Sequence, residues 1–256
     1  MTKGPGAVAG REEIQRELES RIEIFKKSRF FYNLENAEIA KLAVKATLQT
    51  YEKGAFIIRE MDVQQEYLLV KEGMVKIFTQ LTSGRNFTVS LLTEGDSIMA
   101  IGIFSQKPVW CAAQALNKVT LLRVSREDYV AFVNEHTQVL FNYIDFCQVM
   151  LKQSHARLGE IAAEKINRRL VNVLKILITK FGNTINLTST EIADLAGTTT
   201  ETTIRTICNM KKEGIVSTGR GKLTILDVDK LSNFALDPSP LQEPVPDVIY
   251  KLPFVQ

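Results

Sequence analysis

The stretch that decides the fold is Thr190–Lys211, TEIADLAGTTTETTIRTICNMK. It holds two apolar-patterned segments separated by a turn at Gly197, and each segment is long enough for a short helix. The small side chain of Ala193 allows two helices to cross closely, so the pattern predicts a helix–turn–helix. Just upstream, Thr188 and Glu191 fit a capping box that would begin the first helix.

The second predicted helix carries polar side chains at the end that would meet DNA. N-terminal residues of a recognition helix reach base edges in the major groove, where Arg can donate two hydrogen bonds to guanine and Glu can accept one from cytosine. Glu201 and Arg205 are four residues apart, so they share one helix face and Glu can orient Arg. The predicted contacts at this helix start are Thr199, Thr200, Glu201, Thr202 and Arg205.

The motif also needs a small apolar core between its two helices. We expect this core to contain Ile192, Leu195, Ala196 and Ile207, with either Ile204 or Thr203 as the remaining member.

A hairpin with a basic tip follows the motif. Ile215–Ser217 and Leu223–Leu226 bracket Gly219-Arg220-Gly221-Lys222, which predicts a wing. The net charge of +3 is unevenly distributed, because residues 164–226 hold 10 Lys and Arg against 5 Asp and Glu. This asymmetry favours a polyanionic partner. The side chains expected to attract phosphates independently of sequence are Arg168, Arg169, Lys211, Lys212, Arg220 and Lys222.

Residues 133–163 predict one long helix before the motif. Apolar and small side chains recur there in steps of four and three, as in the a/d pattern of a coiled coil sustained for three heptads. The pattern favours a parallel homodimer, although a helix packed on its own domain would also suit Phe141, Phe146 and Val149 on other faces. The repeating positions are Leu140, Ile144, Cys147, Leu151, Ser154, Leu158 and Ile161.

Residues 29–132 have a different pattern, in which short apolar strands about ten residues apart are punctuated by glycines. This spacing predicts an antiparallel β-roll of the jelly-roll, cupin-like kind. The sequence therefore predicts an α+β chain in five parts. These are a helical arm (1–28), the β-roll (29–132), a dimerisation helix (133–163), a winged helix–turn–helix (164–234) and a Pro-rich acidic tail (235–256).

Several function classes lack their sequence signals. No run approaches the ~18 apolar residues of a membrane span, and the first ten residues lack the apolar core of a signal peptide. The three cysteines are far apart, and no HExxH, GxSxG, Walker A or GxGxxG pattern is present. We therefore expect a cytoplasmic protein that is not an enzyme and has no membrane partner or metal site.

The order of these parts resembles the CRP/FNR family of bacterial transcription regulators over about residues 30–230. In the roll, the resemblance rests on Tyr51-Glu52-Lys53-Gly54, Lys71-Glu72-Gly73-Met74-Val75-Lys76 and Glu94-Gly95-Asp96. In the DNA module, it rests on Glu191-Ile192-Ala193-Asp194-Leu195-Ala196-Gly197 followed by Glu201-Thr202 and Arg205.

The resemblance implies partners and contacts. It implies that Glu201 and Arg205 contact a G·C pair in each half of a palindromic operator on double-stranded DNA, within a GA-type core. It also implies RNA polymerase as a partner. Thr200 stands where cyclic-AMP-binding members have Arg, and Ile204 stands where the FNR branch has Ser. These two departures leave the flanking bases open.

The resemblance also bears on the effector. Cyclic-nucleotide members hold the ribose and phosphate with a Gly-Glu pair and an Arg-Ser/Thr pair. Here the Glu is missing after Gly95-Asp96, and Val109-Trp110 stand at the place of the second pair. A bound cyclic phosphate would be a buried, unpaired charge, so we expect no cyclic AMP binding.

Two cofactors of the family are also disfavoured. Residues 1–110 contain no cysteine, which argues against the [4Fe–4S] cluster of the oxygen-sensing branch. A haem sensor needs an axial ligand, and the only histidines, His136 and His155, both fall in the predicted long helix. Haem-based gas sensing is therefore not favoured but stays open.

The remaining hypothesis is a small organic effector, as in the halorespiration branch, held in an apolar pocket between roll and long helix. We expect Met99, Trp110 and Cys111 to line it from the roll and Ser154 from the helix. The alternative is that these residues simply pack the roll.

Three further readings stay open. Thiol redox control could act through Cys111, Cys147 or Cys208. A cyclic-nucleotide-type regulatory subunit without DNA binding would need an intact phosphate pocket and no basic wing. A cupin-type catalyst would need metal-binding histidines in the roll, and residues 30–132 contain none.

Overall fold

The computed structural model describes the backbone of residues 5–234, with side chains over 15–159 and 161–234. The described residues form two compact units. The first comprises residues 5–79 and 89–148, and the second comprises residues 80–88 and 149–234. The predicted Pro-rich tail lies outside the described residues.

The first unit begins with helices and continues as a β-roll. Eight strands form two four-stranded antiparallel sheets, ordered β1-β8-β3-β6 and β2-β7-β4-β5, and residues 86–88 at the start of β5 belong to the segment grouped with the second unit. This confirms the predicted antiparallel roll. The elements are α1 (Pro5–Lys27), a 3-10 turn (Arg29–Phe31), α2 (Asn36–Ala43), β1 (Thr47–Tyr51), β2 (Phe56–Ile58), β3 (Glu66–Glu72), β4 (Val75–Gln80), β5 (Asn86–Leu92), β6 (Ser97–Ile98), α3 (Gly102–Ser105), β7 (Ala112–Ala115), β8 (Val119–Ser125) and α4 (Arg126–Glu135).

Two apolar clusters stabilise this unit. One fills the space between the sheets with aliphatic side chains such as Val70, Ile98 and Leu121, all without solvent exposure. The other packs the helices against the roll and is largely aromatic. In it, the rings of Tyr67 and Tyr129 stack with centroids 4.0 Å apart. Burial raises the pKa of the Tyr129 hydroxyl well above its usual value.

The predicted long helix is divided in two. α4 ends at Glu135, and α5 (Gln138–Ala163) follows after His136 and Thr137. His136 has a non-helical backbone (φ −123°, ψ 75°), and the Thr137 carbonyl accepts from the amides of Leu140 and Phe141. Thr is a preferred N-cap residue, so a new helix begins where the apolar pattern alone predicts continuity from residue 133.

The second unit has the architecture of a winged helix–turn–helix. Its three-stranded antiparallel sheet is ordered β10-β11-β9, and the β10–β11 hairpin is the predicted wing. Among the helices of residues 5–234, none has the length and apolar character needed to cross a membrane. The elements after α5 are α6 (Ile166–Phe181), β9 (Thr184–Ile185), α7 (Ser189–Ala196), α8 (Thr200–Lys212), β10 (Val216–Gly219), β11 (Lys222–Ile225) and α9 (Val228–Asn233).

Candidate functional site

Local capping interactions hold the two motif helices in place. α7 begins with the predicted capping box: the Glu191 amide donates to Thr188 Oγ1 (3.2 Å), and the Thr188 amide donates to Glu191 Oε2 (2.6 Å). α7 ends at Gly197, whose left-handed backbone (φ +63°) suits glycine. Thr199 then caps α8 by accepting from the Thr202 amide (3.2 Å). These interactions fix the turn between the helices.

The shared core of the motif contains most of the predicted residues. Ile192, Ala196 and Ile207 are buried, and Met210 adds a fully buried side chain from the next turn of α8. The alternative between Thr203 and Ile204 is resolved in favour of Thr203, which is fully buried. Ile204, by contrast, is 47% exposed. The core therefore fixes which face of α8 points outward.

The outward face of α8 carries the predicted base-reading residues. Glu201, Ile204, Arg205 and Cys208 are all exposed. Both Ile204 and Arg205 lie three or four residues from Glu201 and from Cys208, which places all four on one face of the helix. Within the described residues, no ion pair or hydrogen bond joins Glu201 to Arg205, so the expected orientation of Arg by Glu is not present in this structure. Both charged groups are thus available to a partner.

The threonines at the start of α8 have roles within the motif. The Thr199 hydroxyl donates to Thr202 Oγ1 (2.9 Å), and the Thr200 hydroxyl donates to Thr190 Oγ1 (3.3 Å). Thr199 is therefore an N-cap residue, whatever it also offers to DNA.

The predicted phosphate-attracting residues fall into two groups. Arg220 and Lys222 are exposed at the tip of the wing, and Lys211 Nζ donates to Thr218 Oγ1 (3.3 Å), which joins the end of α8 to the wing. Arg168 instead pairs with Glu164 (3.1 Å), and Arg169 donates to the Ile161 carbonyl (3.3 Å). The wing and α8 thus offer the more accessible positive charge.

The sequence pattern left open whether Ile204 or Thr203 belongs to the core, and the structure places Ile204 on the outward face. The helical spacing of the sequence could have resolved this. The inward positions recur at steps of four and three residues, and residue 204 does not belong to that series, which consists of Thr203, Ile207 and Met210.

The predicted effector-lining residues of the roll do not share one environment. Cys111 is buried in the core between the sheets, and burial, with a smaller contribution from the charge of Glu60, raises its thiol pKa to about 12. Trp110, its neighbour, is 70% exposed. Met99 is half-buried with φ +46°. On α5, Ser154 is exposed and donates to the Met150 carbonyl (2.8 Å).

Three buried side chains in this part of the roll offer no hydrogen-bond donor to a cyclic phosphate. Ala100 and Val109 are buried and apolar. Gln64, also buried, lies against Gly102, but its amide nitrogen already donates to the carbonyls of Glu66 (2.9 Å) and Ile98 (3.3 Å). Its Oε1, the atom without a partner, is an acceptor. A phosphate needs donors or positive charge, so these residues do not fit a cyclic nucleotide phosphate.

Comparisons with known proteins agree with this architecture. A cyclic nucleotide-binding domain model matches residues 48–136, and a Crp-like helix-turn-helix model matches residues 168–234. The chain is 26% identical to the cyclic AMP receptor protein of Thermus thermophilus over 211 residues, which are 82% of this chain and 98% of that protein.

Solved structures share the fold. A protein described as a crp/fnr-family regulator from Eubacterium rectale has a TM-score of 0.66 at 23% identity, covering 80% of this chain and 97% of that one. The c-di-GMP-responsive global regulator of Xanthomonas campestris has a TM-score of 0.67 at 14% identity, covering 75% and 100%. With the helix–turn–helix and wing described above, the two matched domains identify the chain as a member of the CRP/FNR family of DNA-binding transcription regulators.

Proposed function

We propose that this protein is an effector-responsive homodimeric regulator whose two α8 helices read the half-sites of a palindromic operator. The observation that carries the proposal is the outward face of α8, where Glu201 and Arg205 are exposed above a buried opposite face. Arg205 would donate to guanine O6 and N7, and Glu201 would accept from cytosine N4. The half-sites would lie about one helical turn apart.

The wing supports this proposal with sequence-independent attraction. Arg220 and Lys222 are exposed at the hairpin tip, where they can neutralise phosphates. Lys211, in the last turn of α8, contacts the wing and can add to the same field. We retain Thr200, Thr202, Arg168 and Arg169 as further candidate contacts.

The proposed dimer rests on one face of α5, which we call the α5 seam. All seven of its residues are exposed in the single chain, including four large aliphatic side chains that are at least 43% exposed. An apolar stripe of this length is typical of a helix–helix interface. A second copy of α5 would cover it. The seam consists of Leu140, Ile144, Cys147, Leu151, Ser154, Leu158 and Ile161.

Measuring how tightly the protein binds labelled DNA duplexes tests the proposal. A palindrome with GA-type half-sites should be bound more tightly than a scrambled duplex of equal length. Arg205→Ala should cost about 1–3 kcal/mol and relax specificity at one base pair of each half-site. Lys107→Ala, which removes one exposed positive charge from the roll, is the matched control and should bind as the parent does. Unchanged affinity and specificity in Arg205→Ala would refute the assignment.

For the effector, we propose a small organic molecule bound by the roll, with Met99, Trp110, Cys111 and Ser154 retained as candidate lining residues. Its binding would shift the population of conformations in which both α8 helices fit the operator. Trp110 is the only tryptophan and is 70% exposed, so its fluorescence should shift to shorter wavelength when a ligand covers it. A ligand that alters DNA affinity without changing this emission would argue against Trp110 as a lining residue of the effector site.

Two other switching mechanisms, thiol oxidation and haem binding, can each be related to a specific structural observation. Cys208 is exposed on the outward face of α8, so its oxidation would place a modified thiol against DNA. Haem ligation by His136 would have to use Nε2, which is buried without a hydrogen-bond partner among the described residues, while Nδ1 lies 3.1 Å from Glu38 Oε1. A regulatory subunit without DNA binding is the rival from another class, and failure of every duplex to bind would favour it.

The family resemblance further leads us to propose RNA polymerase as a partner and the cytoplasm as the location. Binding of purified polymerase to the protein on its operator would test the first of these.

A further inference from the structure

Ile204 occupies an unusual position on α8. The other large apolar side chains of this helix, Ile207 and Met210, are 6% and 0% exposed, whereas Ile204 is 47% exposed. Isoleucine is also a poorer helix former than alanine or leucine, so local propensity does not account for it. Among the described residues of the second unit, Ile204 therefore lies outside the buried core.

The neighbours of Ile204 place it on the face that would meet base edges. Glu201 precedes it by three residues, Arg205 follows it directly, and Cys208 follows one turn later, all exposed. Ile204 is the fifth residue of α8, within the N-terminal part that reaches into the major groove. If Glu201 and Arg205 approach bases, Ile204 must lose water in the same approach.

An aliphatic side chain can match only one group on the floor of the major groove. Guanine, cytosine and adenine present hydrogen-bond donors or acceptors there, and thymine adds a C5-methyl group. Against the other bases, Ile204 would remove water from polar atoms without replacing their hydrogen bonds, which is unfavourable. Against the methyl group it would bury apolar surface on both sides.

We propose that Ile204 is a specificity-determining residue that packs on the methyl group of a thymine in each half-site, next to the bases read by Glu201 and Arg205. The inference rests on the proposed DNA-binding function and deepens it. It adds a required thymine that the charged residues alone do not specify.

The test removes single methyl groups from the operator. The full chain is first used to select a bound palindrome from duplexes with randomised half-sites. Each thymine is then replaced in turn by deoxyuridine, which lacks only the C5-methyl. At one position, the replacement should weaken binding about fourfold per half-site, the value of one buried methyl-sized group. Replacing that thymine by 5-methylcytosine, with guanine opposite, should retain part of the apolar contact.

The variant Ile204→Ala completes a double-mutant cycle. It should bind the thymine operator more weakly than the parent does, and it should no longer distinguish thymine from deoxyuridine at that position. Val228→Ala, which truncates an exposed aliphatic side chain on α9, is the matched control and should keep the full discrimination. Circular dichroism should show both variants folded, since both side chains are exposed.

The outcomes separate this inference from the proposed function. If no duplex is bound at any salt concentration, the DNA-binding proposal itself fails. If an operator is bound but every deoxyuridine replacement affects parent and Ile204→Ala equally, DNA binding stands and the role of Ile204 is refuted. The role of Ile204 would also be refuted if the selected operators shared no thymine at any fixed position of the half-site.

Discussion

The guanidinium carbon of Arg157 lies 4.4 Å from the centre of the Phe87 ring, within the second unit. Arg157 Nη2 also donates to two carbonyl oxygens, of Thr88 and of Leu195, both at 2.8 Å. The Phe87 ring in turn packs on the turn of the helix–turn–helix, 3.4 Å from where a Cβ of residue 197 would lie. One side chain of α5 therefore joins the start of β5 to the end of α7.

Replacing Arg157 should destabilise the second unit. Arg157→Ala leaves two carbonyls without this donor and removes the cation–π contact, so we expect a loss of about 1–3 kcal/mol in the free energy of unfolding. Denaturant unfolding would measure it, and hydrogen exchange at residues 195–199 should accelerate. Arg157→Lys keeps the charge but cannot present the planar fork, so it should fall between parent and alanine. Equal stability of all three proteins would contradict the bridging role.

A glycine pair provides a test of the roll. Gly73 has φ +96°, and a Cβ there would lie 2.8 Å from the Val119 Cα. Gly73→Ala should therefore cost more than the ~1–2 kcal/mol of left-handed strain alone. Gly84 has φ +78° with open space around it, so Gly84→Ala should lower the free energy of unfolding only by the left-handed strain. The difference in melting temperature measures the backbone clash, and a larger drop for Gly84→Ala would contradict it.

The wing should contribute to DNA binding mainly through charge. Removing Arg220 and Lys222 together should weaken binding to all duplexes nearly uniformly and reduce the slope of log affinity against log salt by about 2, if each neutralises one phosphate. Titrations over a range of salt concentrations would measure the slope. Lys53→Ala with Lys107→Ala removes the same charge from the first unit and should leave the slope unchanged. A loss confined to one operator sequence would indicate base reading by the wing instead.

The thiols should differ sharply in reactivity. Burial raises the pKa of Cys111 to about 12, so about one molecule in 10⁴ carries the reactive thiolate at pH 8. A variant that keeps only Cys111 should resist a disulfide reagent until it unfolds, whereas one that keeps only exposed Cys208 should react rapidly. Because the folded pKa lies above the unfolded value, this contribution to stability is complete below pH ~9 and is lost as pH rises towards 12. Rapid labelling of folded Cys111 would contradict the assignment.

Local rules explain what could be predicted from the sequence. The Thr188–Glu191 capping box and the glycine at 197 each depend on residues within one turn, and both were readable. The division of the long helix at His136 and Thr137 was missed because an apolar repeat hides a single cap. The contact between Phe87 and Arg157 joins positions 70 residues apart, and no periodicity of either segment encodes it. The residues that line an effector site are likewise brought together by contacts between segments far apart in the sequence, so the sequence pattern alone does not identify them.

Cys147 offers a direct test of the proposed dimer, because it is exposed in the middle of the α5 seam. In a parallel coiled coil, equivalent core positions of the two helices face each other, which brings the two thiols within reach of a disulfide. Mild oxidation of a variant that keeps only Cys147 should therefore give a covalent dimer that reductant reverses. Cys208 is also exposed but lies on α8, so a variant that keeps only Cys208 is the matched control and should cross-link far more slowly. The yield of covalent dimer should stay the same when the protein is diluted tenfold, as long as its concentration remains above the dimer dissociation constant, since the dimer forms before oxidation. Cross-linking that falls in proportion to concentration, or that is equal in the two variants, would indicate random collision and contradict the parallel dimer.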